Sequence, residues 1–296
     1  MIKFLSLLLA GLSLGSMYAL VAMGFVIIYK ASGVANFAHG SLLLIGATFV
    51  AFTHDTLGFG PAVLVALLGT AASAFLLQFL FIRPMRTASP IPTTIVTIGM
   101  DILLLVLLTG LLGEGLHELG QPWAGDTVVI GDVGITVNRL IGLIVAALLI
   151  VGFLVLFKRS AWGISMRAAA EDPEAAALVG LRLGRVTATT WIIAGVLACV
   201  AAIFLTGAPT PGLSPALWTV ALVAFPAAII GGLTSVHGAL VGGLVIGVAE
   251  SLATGYQQQL LFLGRGFGIV VPFVVLLVVL LVRPEGLFSA RGGRRV

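Results

Sequence analysis

The sequence is poor in charged residues. Only nine per cent of its 296 residues are charged, whereas sixty per cent are hydrophobic. Soluble domains carry roughly 25% charged residues. A soluble fold of this length would therefore need an enormous apolar core with almost no polar surface to cover it. The composition excludes the ordinary soluble classes and indicates a protein surrounded largely by lipid.

Cysteine and lysine are also scarce. The single cysteine, Cys199, lies in an apolar run, which excludes an intrachain disulfide and indicates a small buried hydrophobe. The three lysines, Lys3, Lys30 and Lys158, stand outside any G-x-x-x-x-G-K-[ST] motif, so no nucleotide-binding loop is expected. The histidines lack metal-ligand spacing, and no Ser-His-Asp or Cys-His arrangement can be argued. We expect a non-enzyme that binds no metal and no cofactor itself.

Long apolar runs fill most of the chain. A membrane helix needs roughly 20 apolar residues to cross about 30 Å of hydrocarbon. Nine segments are predicted: 4–29, 36–53, 61–82, 91–113, 137–157, 186–207, 217–234, 236–254 and 267–282. Of these, 36–53 and 217–234 are short or interrupted by Gly or Pro, so each is predicted to be a half-helix or re-entrant piece. The predicted fold is all-α, a polytopic integral membrane protein with 8–9 hydrophobic segments in a single domain, 1–296.

Basic residues are distributed unevenly between the two sides of this arrangement. One side collects twelve of them: Lys30, Arg83, Arg86, Lys158, Arg159, Arg167, Arg182, Arg185, Arg283, Arg291, Arg294 and Arg295. The other side has three: Lys3, Arg139 and Arg265. The richer side is predicted to be cytoplasmic, so the amino terminus lies outside and the carboxy terminus inside. This orientation explains the net charge of +4 better than nucleic-acid binding does.

Two loops follow from this topology. The loop 114–136 is predicted to lie outside, and it carries the acids Glu114, Glu118, Asp126 and Asp132. The loop 158–185 is the longest cytoplasmic connection. In it, Asp172 followed by Pro173 predicts a capped helix start, and Gly180 predicts the stop of a short helix over roughly 173–179. Such a helix would offer small residues and acids to a docking partner.

The sequence "EAAALVG" within that loop fits an EAA-x-x-x-G pattern. The pattern resembles the coupling loop of bacterial ABC importer permeases, although the downstream Ile-x-Leu-Pro portion is absent. Taken alone, an ordinary amphipathic loop helix explains it about equally well. The residues that the resemblance assigns to ATPase coupling are Glu171, Asp172, Glu174, Ala175, Ala176 and Gly180.

Four further stretches resemble, in chain order, the permeases of branched-chain amino acid ABC transporters of the high-affinity leucine/isoleucine/valine type. They are "GSMYALVAMGFVIIYKASGVANFAHGSLLLIGA" (15–47), "MRAAAEDPEAAALVGLRLGRV" (166–186), "AAIIGGLTSVHGALVGGLVIGVAESL" (227–252) and "RPEGLF" (283–288). The resemblance departs at Thr234-Ser235-Val236-His237, where the family more often has Gly-Ser followed by an apolar pair.

The resemblance implies a permease subunit of an ATP-driven importer in the bacterial inner membrane. It also implies a second permease subunit, two cytoplasmic ATPase subunits that bind ATP and Mg, and a periplasmic substrate-binding protein. The substrate stays open among branched-chain amino acids, other amino acids, urea and short amides. The alternative is a stand-alone secondary transporter coupled to protons through Asp101, His39 or Glu250.

Polar residues in the apolar segments are the remaining candidates. In "VANFAHGSLLLIGA" (34–47), Asn36 is predicted to cap the following helix, with Phe37, His39 and Gly40 at its start. A position near the positive helix end favours a neutral, hydrogen-bonded imidazole. These four residues are candidates for the translocation path or a structural corner beside it.

Two acids and three glycine pairs complete the set. Asp101, predicted near mid-membrane, and Glu250, predicted nearer the outer interface, are candidate path residues whose simpler interpretation is a buried acid that holds helices together. The glycine pairs have small-x-x-x-small spacing, which favours close helix packing. They are Gly11/Gly15, Gly238/Gly242 and Gly243/Gly247.

Overall fold

The computed structural model describes residues 2–85, 89–113, 115–131, 133–207, 212–264 and 266–288. Within these ranges the chain is a bundle of α-helices: α1 (Ile2–Ser32), α2 (His39–Leu57), α3 (Phe59–Leu77), α4 (Pro90–Leu112), α5 (Val137–Arg159), α6 (Ala161–Glu171), α7 (Pro173–Leu178), α8 (Leu183–Leu205), α9 (Thr219–Gly231), α10 (Val236–Gly255) and α11 (Phe267–Val282). A π-helical stretch, Gln78–Ile82, and the turn Arg83–Met85 extend α3.

The predicted membrane segments are confirmed. Seven helices of the described residues are long and apolar enough to cross a membrane, and two shorter apolar helices, Pro215–Gly231 and Phe267–Val282, match the remaining segments. Large side chains such as Leu68, Leu148 and Leu281 are more than two-thirds exposed on the outside of the bundle. Hydrocarbon can cover such a surface, whereas water could not do so without a large cost. The chain is an all-α multi-pass membrane protein.

Helix α1 lies at the centre of the bundle and packs most closely against α10. A Cβ built on Gly15 would come 2.8 Å from the Leu244 Cα, and one built on Gly243 would come 2.5 Å from the Ala19 backbone. The contacts run in opposite order along the two helices, so α1 and α10 are antiparallel. The predicted role of the glycine pairs in helix packing is therefore confirmed for this contact, where only hydrogen side chains allow the backbones to approach so closely.

The bundle has two ends that differ in chemistry. We call the end where α1, α5 and α11 finish the basic end, because Lys30, Lys158 and Arg283 lie there. The opposite end carries the connection 114–136, and we call it the hairpin end. Several residues used in the predictions of orientation and of the outside loop fall outside the described residues: Arg86, Glu114, Asp132, Arg265, Arg291, Arg294 and Arg295.

The connection at the hairpin end contains a feature that the sequence analysis left as loop. Strands β1 (Thr127–Ile130) and β2 (Val133–Thr136) form an antiparallel hairpin that leads directly into α5. Gln121 Nε2 donates a 2.5 Å hydrogen bond to the Ile203 carbonyl near the end of α8. The connection thereby satisfies one of the carbonyls that a helix end leaves without a partner.

The break between α1 and α2 turns back into the bundle. His39, the first residue of α2, packs directly on Gly24 of α1. Gly24 precedes the last residue of α1, Ser32, by eight positions, which is about 12 Å of helix. Residues 33–38 therefore return into the bundle by about that distance. Helix α2 nevertheless continues for 19 residues to the hairpin end and is long enough to cross a membrane. The prediction of a half-helix or re-entrant piece for 36–53 is therefore wrong, because the return into the bundle is made by the residues before the helix.

A second break precedes α9 and comes from the hairpin end. Leu213 exchanges backbone hydrogen bonds with His117 of the hairpin-end connection. Five residues later, Trp218 contacts Asp101 in the middle of α4. Helix α9 then has 13 residues, about 20 Å, which is shorter than the roughly 30 Å hydrocarbon core. The predicted half-helix in 217–234 is therefore confirmed.

Candidate functional site

A cleft lies where the two breaks meet, at mid-height of the bundle. Its volume is about 280 Å³. The lining residues come from α1, the 33–38 break, α4 and the start of α9: Phe25, Phe37, Ile98, Asp101, Ile102, Trp218, Ala221, Leu222 and Phe225. Discontinuous helices that meet near the bilayer midplane are a recurrent way to build transport sites, because they bring polar groups into an apolar setting.

Aromatic rings form much of the cleft wall. The ring of Phe225 lies 5.2 Å from Phe25 and 5.3 Å from Phe37, both in tilted arrangements. Such separations are typical of interacting aromatic pairs. The three rings belong to three different parts of the chain, so they join α1, the first break and α9 around one space.

Asp101 supplies the carboxylate in the wall of the cleft, and it is 5% exposed. Its Oδ2 accepts a 2.6 Å hydrogen bond from Trp218 Nε1. Its Oδ1 accepts from Ser41 Oγ at 2.6 Å and from the Ser41 backbone amide at 3.2 Å. The carboxylate therefore connects the middle of α4 to the start of α2 and to the turn that precedes α9.

Magnitudes indicate why this acid is tolerated in the membrane. An acidic side chain at the centre of a membrane helix costs about 2.5–3.5 kcal/mol on insertion scales. A hydrogen bond to a charged group contributes about 1.5–3 kcal/mol. Three such bonds to Asp101 offset the cost of burying it, which fits a role in holding helices together as well as a role in a site.

The first break is held by α4 one turn away from Asp101. Thr97 Oγ1 accepts a 3.1 Å hydrogen bond from the Phe37 amide and lies 3.2 Å from the Ala35 carbonyl, to which it can donate. Thr97 and Asp101 are four residues apart, so they share one face of α4. That face supports both the irregular backbone of the break and the start of α2.

We expect Thr97→Val to destabilise the protein by about 1–3 kcal/mol, because the partly buried Phe37 amide would lose its acceptor. Thr94→Val is the matched control: Thr94 is half-buried, and among the described residues its hydroxyl bonds to Pro90 of its own helix. Its effect should stay within about 0.5 kcal/mol. Thermal unfolding of the purified variants measures both losses of stability. Equal losses would contradict the role of Thr97 in holding the 33–38 break.

The predicted cap at Asn36 is wrong in its position. The N-cap of α2 is Ala38, and no side chain caps that helix. Asn36 Oδ1 instead accepts a 3.1 Å hydrogen bond from the Ala38 amide, two residues on, which stabilises the turn before the helix. The local sequence did not reveal that the chain would make this extra turn inside the bundle.

His39 is fully buried at the start of α2. Neither of its ring nitrogens has a hydrogen-bond partner among the described residues, so the predicted hydrogen bond is not found there. Its ring packs against Phe25 with centroids 4.7 Å apart and fills the space left by Gly24. His39 therefore lies directly behind a ring of the cleft wall. Gly40 allows Trp218 to approach, since a Cβ there would come 2.6 Å from the indole.

Glu250 is not part of this cleft. It lies on α10, where its Oε2 accepts a 2.9 Å hydrogen bond from Tyr18 of α1. This bond joins the same two helices that the glycine contacts bring together. The predicted path residues therefore separate into two groups: Phe37 and Asp101 line the cleft with Asn36, His39 and Gly40 beside it, whereas Glu250 holds α1 to α10.

The loop at the basic end has the predicted short helix. Asp172 caps α7, because its Oδ1 accepts hydrogen bonds from the Glu174 and Ala175 amides, each at 3.0 Å. The helix ends in a Schellman motif: the Leu181 amide donates to Ala176 and the Gly180 amide donates to Ala177. Gly180 has a φ of +87°, which favours glycine.

This geometry explains two positions of the EAA-x-x-x-G pattern, Ala176 and Gly180, as folding requirements. Ala176 is 4% exposed, so the middle of the short helix faces the protein. Leu178 and Val179, in contrast, are 89% and 78% exposed at the tip of the loop. The acids Glu171, Asp172 and Glu174 are exposed beside them. The loop is an ordered projection with an apolar tip and an acidic base.

The sequence analysis predicted only Phe37 and Asp101 among the lining residues, and it also missed Ser41. The most informative of the missed residues are Phe25, Ser41, Trp218 and Phe225. Trp218 had a usable signal, because it begins a segment already predicted to be a half-helix. Ser41 had little, since serines in membrane helices most often bond to their own backbone.

The comparisons with known proteins agree with this architecture. Residues 7–281 match the profile of the family described as the branched-chain amino acid transport system / permease component. The chain belongs to this permease family. It is 32% identical to the high-affinity branched-chain amino acid transport system permease proteins LivH of Salmonella typhimurium and BraD of Pseudomonas aeruginosa, over 97% of this chain and 96% of theirs. It is also 31% identical to the probable branched-chain amino acid transport permease protein LivH of Methanocaldococcus jannaschii, over 92% and 88%.

A more distant likeness links the permease to a solved structure, PsaBC from Streptococcus pneumoniae in complex with Fab. It covers 93% of this chain and 91% of that chain at 14% identity, with a TM-score of 0.49. A likeness of this size supports no inference. The family assignment rests on the sequence matches.

Proposed function

We propose that the permease is the membrane-spanning subunit of an ATP-driven importer for branched-chain or related amino acids. The observation that carries the proposal is the family match, which extends over residues 7–281 and leaves no large part of the chain unexplained. Two features of the fold support it. A cleft of about 280 Å³ at mid-height suits a small solute, and an ordered loop with an exposed tip suits a docking partner.

The proposed assembly contains a second permease subunit, two ATPase subunits that bind ATP and Mg, and a substrate-binding protein. In this assembly α7 contacts an ATPase subunit and passes on its motion. The connection from α7 to the bundle is short, since α8 begins at Leu183, five residues after α7 ends at Leu178. Movement of the tip would therefore tilt α8, which packs against α1, α2 and α3.

The cleft offers a way to convert such tilting into alternating access. The start of α2 and the turn before α9 are joined to α4 through the side chain of Asp101. Hydrogen bonds of this kind can break and re-form with little change elsewhere, whereas a packed continuous helix cannot bend freely. Helix α9 also contains Pro226, which removes one backbone hydrogen bond within it.

In the proposed orientation the basic end is cytoplasmic and the hairpin end is outside. We expect a membrane-impermeant maleimide to label Val129→Cys in intact cells but to label Val179→Cys only after permeabilisation. Both positions are exposed, at 67% and 78%. The buried native thiol is replaced in both variants by Cys199→Ala. The reverse labelling pattern would contradict the orientation.

Uptake by proteoliposomes tests the function. The vesicles contain the permease, the partner permease, the ATPases and the binding protein, and they are supplied with ATP and radiolabelled leucine. We expect ATP-dependent uptake that excess isoleucine or valine competes away and that urea or acetamide does not. Competition by urea alone would indicate that the substrate belongs to another class.

A further inference from the structure

We propose that the cleft binds the ammonium group of an amino acid, with the Asp101 carboxylate as its partner and the aromatic rings around its apolar side chain. This inference rests on the proposed function, because it names the chemical group that the transported solute must carry. It assigns Asp101 as a specificity-determining residue in place of a purely structural one.

The first argument is the set of partners of the Asp101 carboxylate. The Trp218 and Ser41 N–H groups can only donate, and together they engage both oxygens. Such surroundings suit an ionised carboxylate, which accepts and never donates. Within the described ranges, however, the one ion pair is between His54 and Asp55, so no basic side chain there neutralises Asp101. The carboxylate is buried with hydrogen-bond donors and without a cation.

The second argument is that the Asp101 carboxylate keeps one hydrogen-bond acceptor position without a partner. A carboxylate offers about four lone-pair positions, and three are engaged by Ser41 and Trp218. Asp101 also lines the cleft, where it is the one acidic residue of the wall. One acceptor position therefore remains for a donor that enters the cleft, and a cationic donor is favoured over a neutral one.

The third argument is the remainder of the wall. Phe25, Phe37 and Phe225 form a continuous aromatic surface, and the Trp218 indole adjoins the carboxylate. Aromatic faces attract cations and also receive aliphatic side chains. The volume lies just below the roughly 300 Å³ lower end for drug-sized ligands, which suits a solute the size of an amino acid.

Saturation-transfer NMR on the assembled complex without its binding protein tests the proposal. Three probes share one isobutyl group: leucine, 3-methylbutylamine, which keeps the ammonium, and 4-methylpentanoate, which keeps the carboxylate. Only the part of each signal that excess leucine displaces is counted, because this excludes the signal from probe molecules dissolved in the detergent. We expect the amine to give at least a fivefold larger displaceable signal than the acid. Equal signals in the wild-type complex would overturn the proposal without any variant.

Variants locate the effect at Asp101. Asp101→Asn should reduce the amine-to-acid ratio to near one, whereas Glu250→Gln, a matched carboxylate-to-amide change on α10, should leave it unchanged. Ser41→Ala removes the hydroxyl that donates to Asp101 Oδ1 and so frees one acceptor position. The amine-to-acid ratio should stay the same or rise, and this variant tests the assignment if Asp101→Asn does not fold. An unchanged ratio in Asp101→Asn, or a lowered one in Ser41→Ala, would contradict the assignment.

The two proposals fail separately. If the wild-type complex shows the ammonium preference but no ATP-driven uptake of leucine, the proposed function is wrong and the binding site stands. If uptake is ATP-driven but the two probes bind equally, the importer stands and the ammonium site is wrong.

Discussion

Replacing Leu178 by aspartate is expected to reduce ATP-driven uptake by about thirtyfold while the permease still folds and inserts. The side chain is 89% exposed at the tip of the loop, so the change removes no internal packing. In a docked assembly the same side chain would be buried against the ATPase subunit. Fully burying a leucine side chain contributes about 2 kcal/mol, which corresponds to roughly thirtyfold, and a buried unpaired charge adds to the loss.

The measurement is the rate of ATP-driven leucine uptake, together with the ratio of leucine taken up to ATP hydrolysed, in proteoliposomes that contain all partners. Leu178→Met is the matched control, because it keeps an apolar side chain of similar volume, and it should stay near the wild-type value. Glu174→Arg reverses a charge beside the tip and should also lower the ratio. If the aspartate variant transports as the wild type does, α7 is not the docking element.

Replacing Gly247 by valine is expected to cause a large loss of stability. A Cβ on Gly247 would overlap the backbone of Gly15, and backbone atoms of a packed helix cannot move aside as a side chain can. Ordinary overpacking costs about 1–3 kcal/mol, so we expect at least the upper end of that range. The loss would separate α1 from α10 and break the bond between Tyr18 and Glu250 as well.

The control is the same substitution at Gly152, which lies on α5 with nothing within 4 Å of an added Cβ. Thermal unfolding of the two purified variants, together with their yields from membranes, gives the comparison. We expect Gly152→Val to remain within about 0.5 kcal/mol of the wild type. Comparable losses at the two glycines would show that close approach of α1 and α10 is not what Gly247 provides.

The sequence predicted the features that depend on local pattern. Apolar run length located all nine hydrophobic segments, since crossing the bilayer imposes a minimum length on a helix. The Asp172 cap and the Gly180 stop were also predicted, because capping depends on residues within one turn of the helix end. The spacing of small residues identified the contact faces of α1 and α10, because residues four positions apart lie on one face of a helix.

The features that the sequence did not predict depend on contacts between distant parts of the chain. Trp218 and Asp101 are 117 positions apart, and no local periodicity relates them. The cap was wrongly assigned to Asn36, because the position at which α2 begins depends on how far the 33–38 break returns into the bundle. Packing against α1 and α4 sets that distance, and a single sequence does not encode it visibly.

The most direct test of the central proposal compares two energy sources in vesicles. One preparation contains the permease with its partner permease, ATPases and binding protein, and the other contains the permease alone. Leucine uptake is measured with ATP and without a proton gradient, and again with a proton gradient and without ATP. Our account predicts uptake only in the complete preparation with ATP. Uptake by the permease alone on a proton gradient would contradict it and favour a secondary transporter.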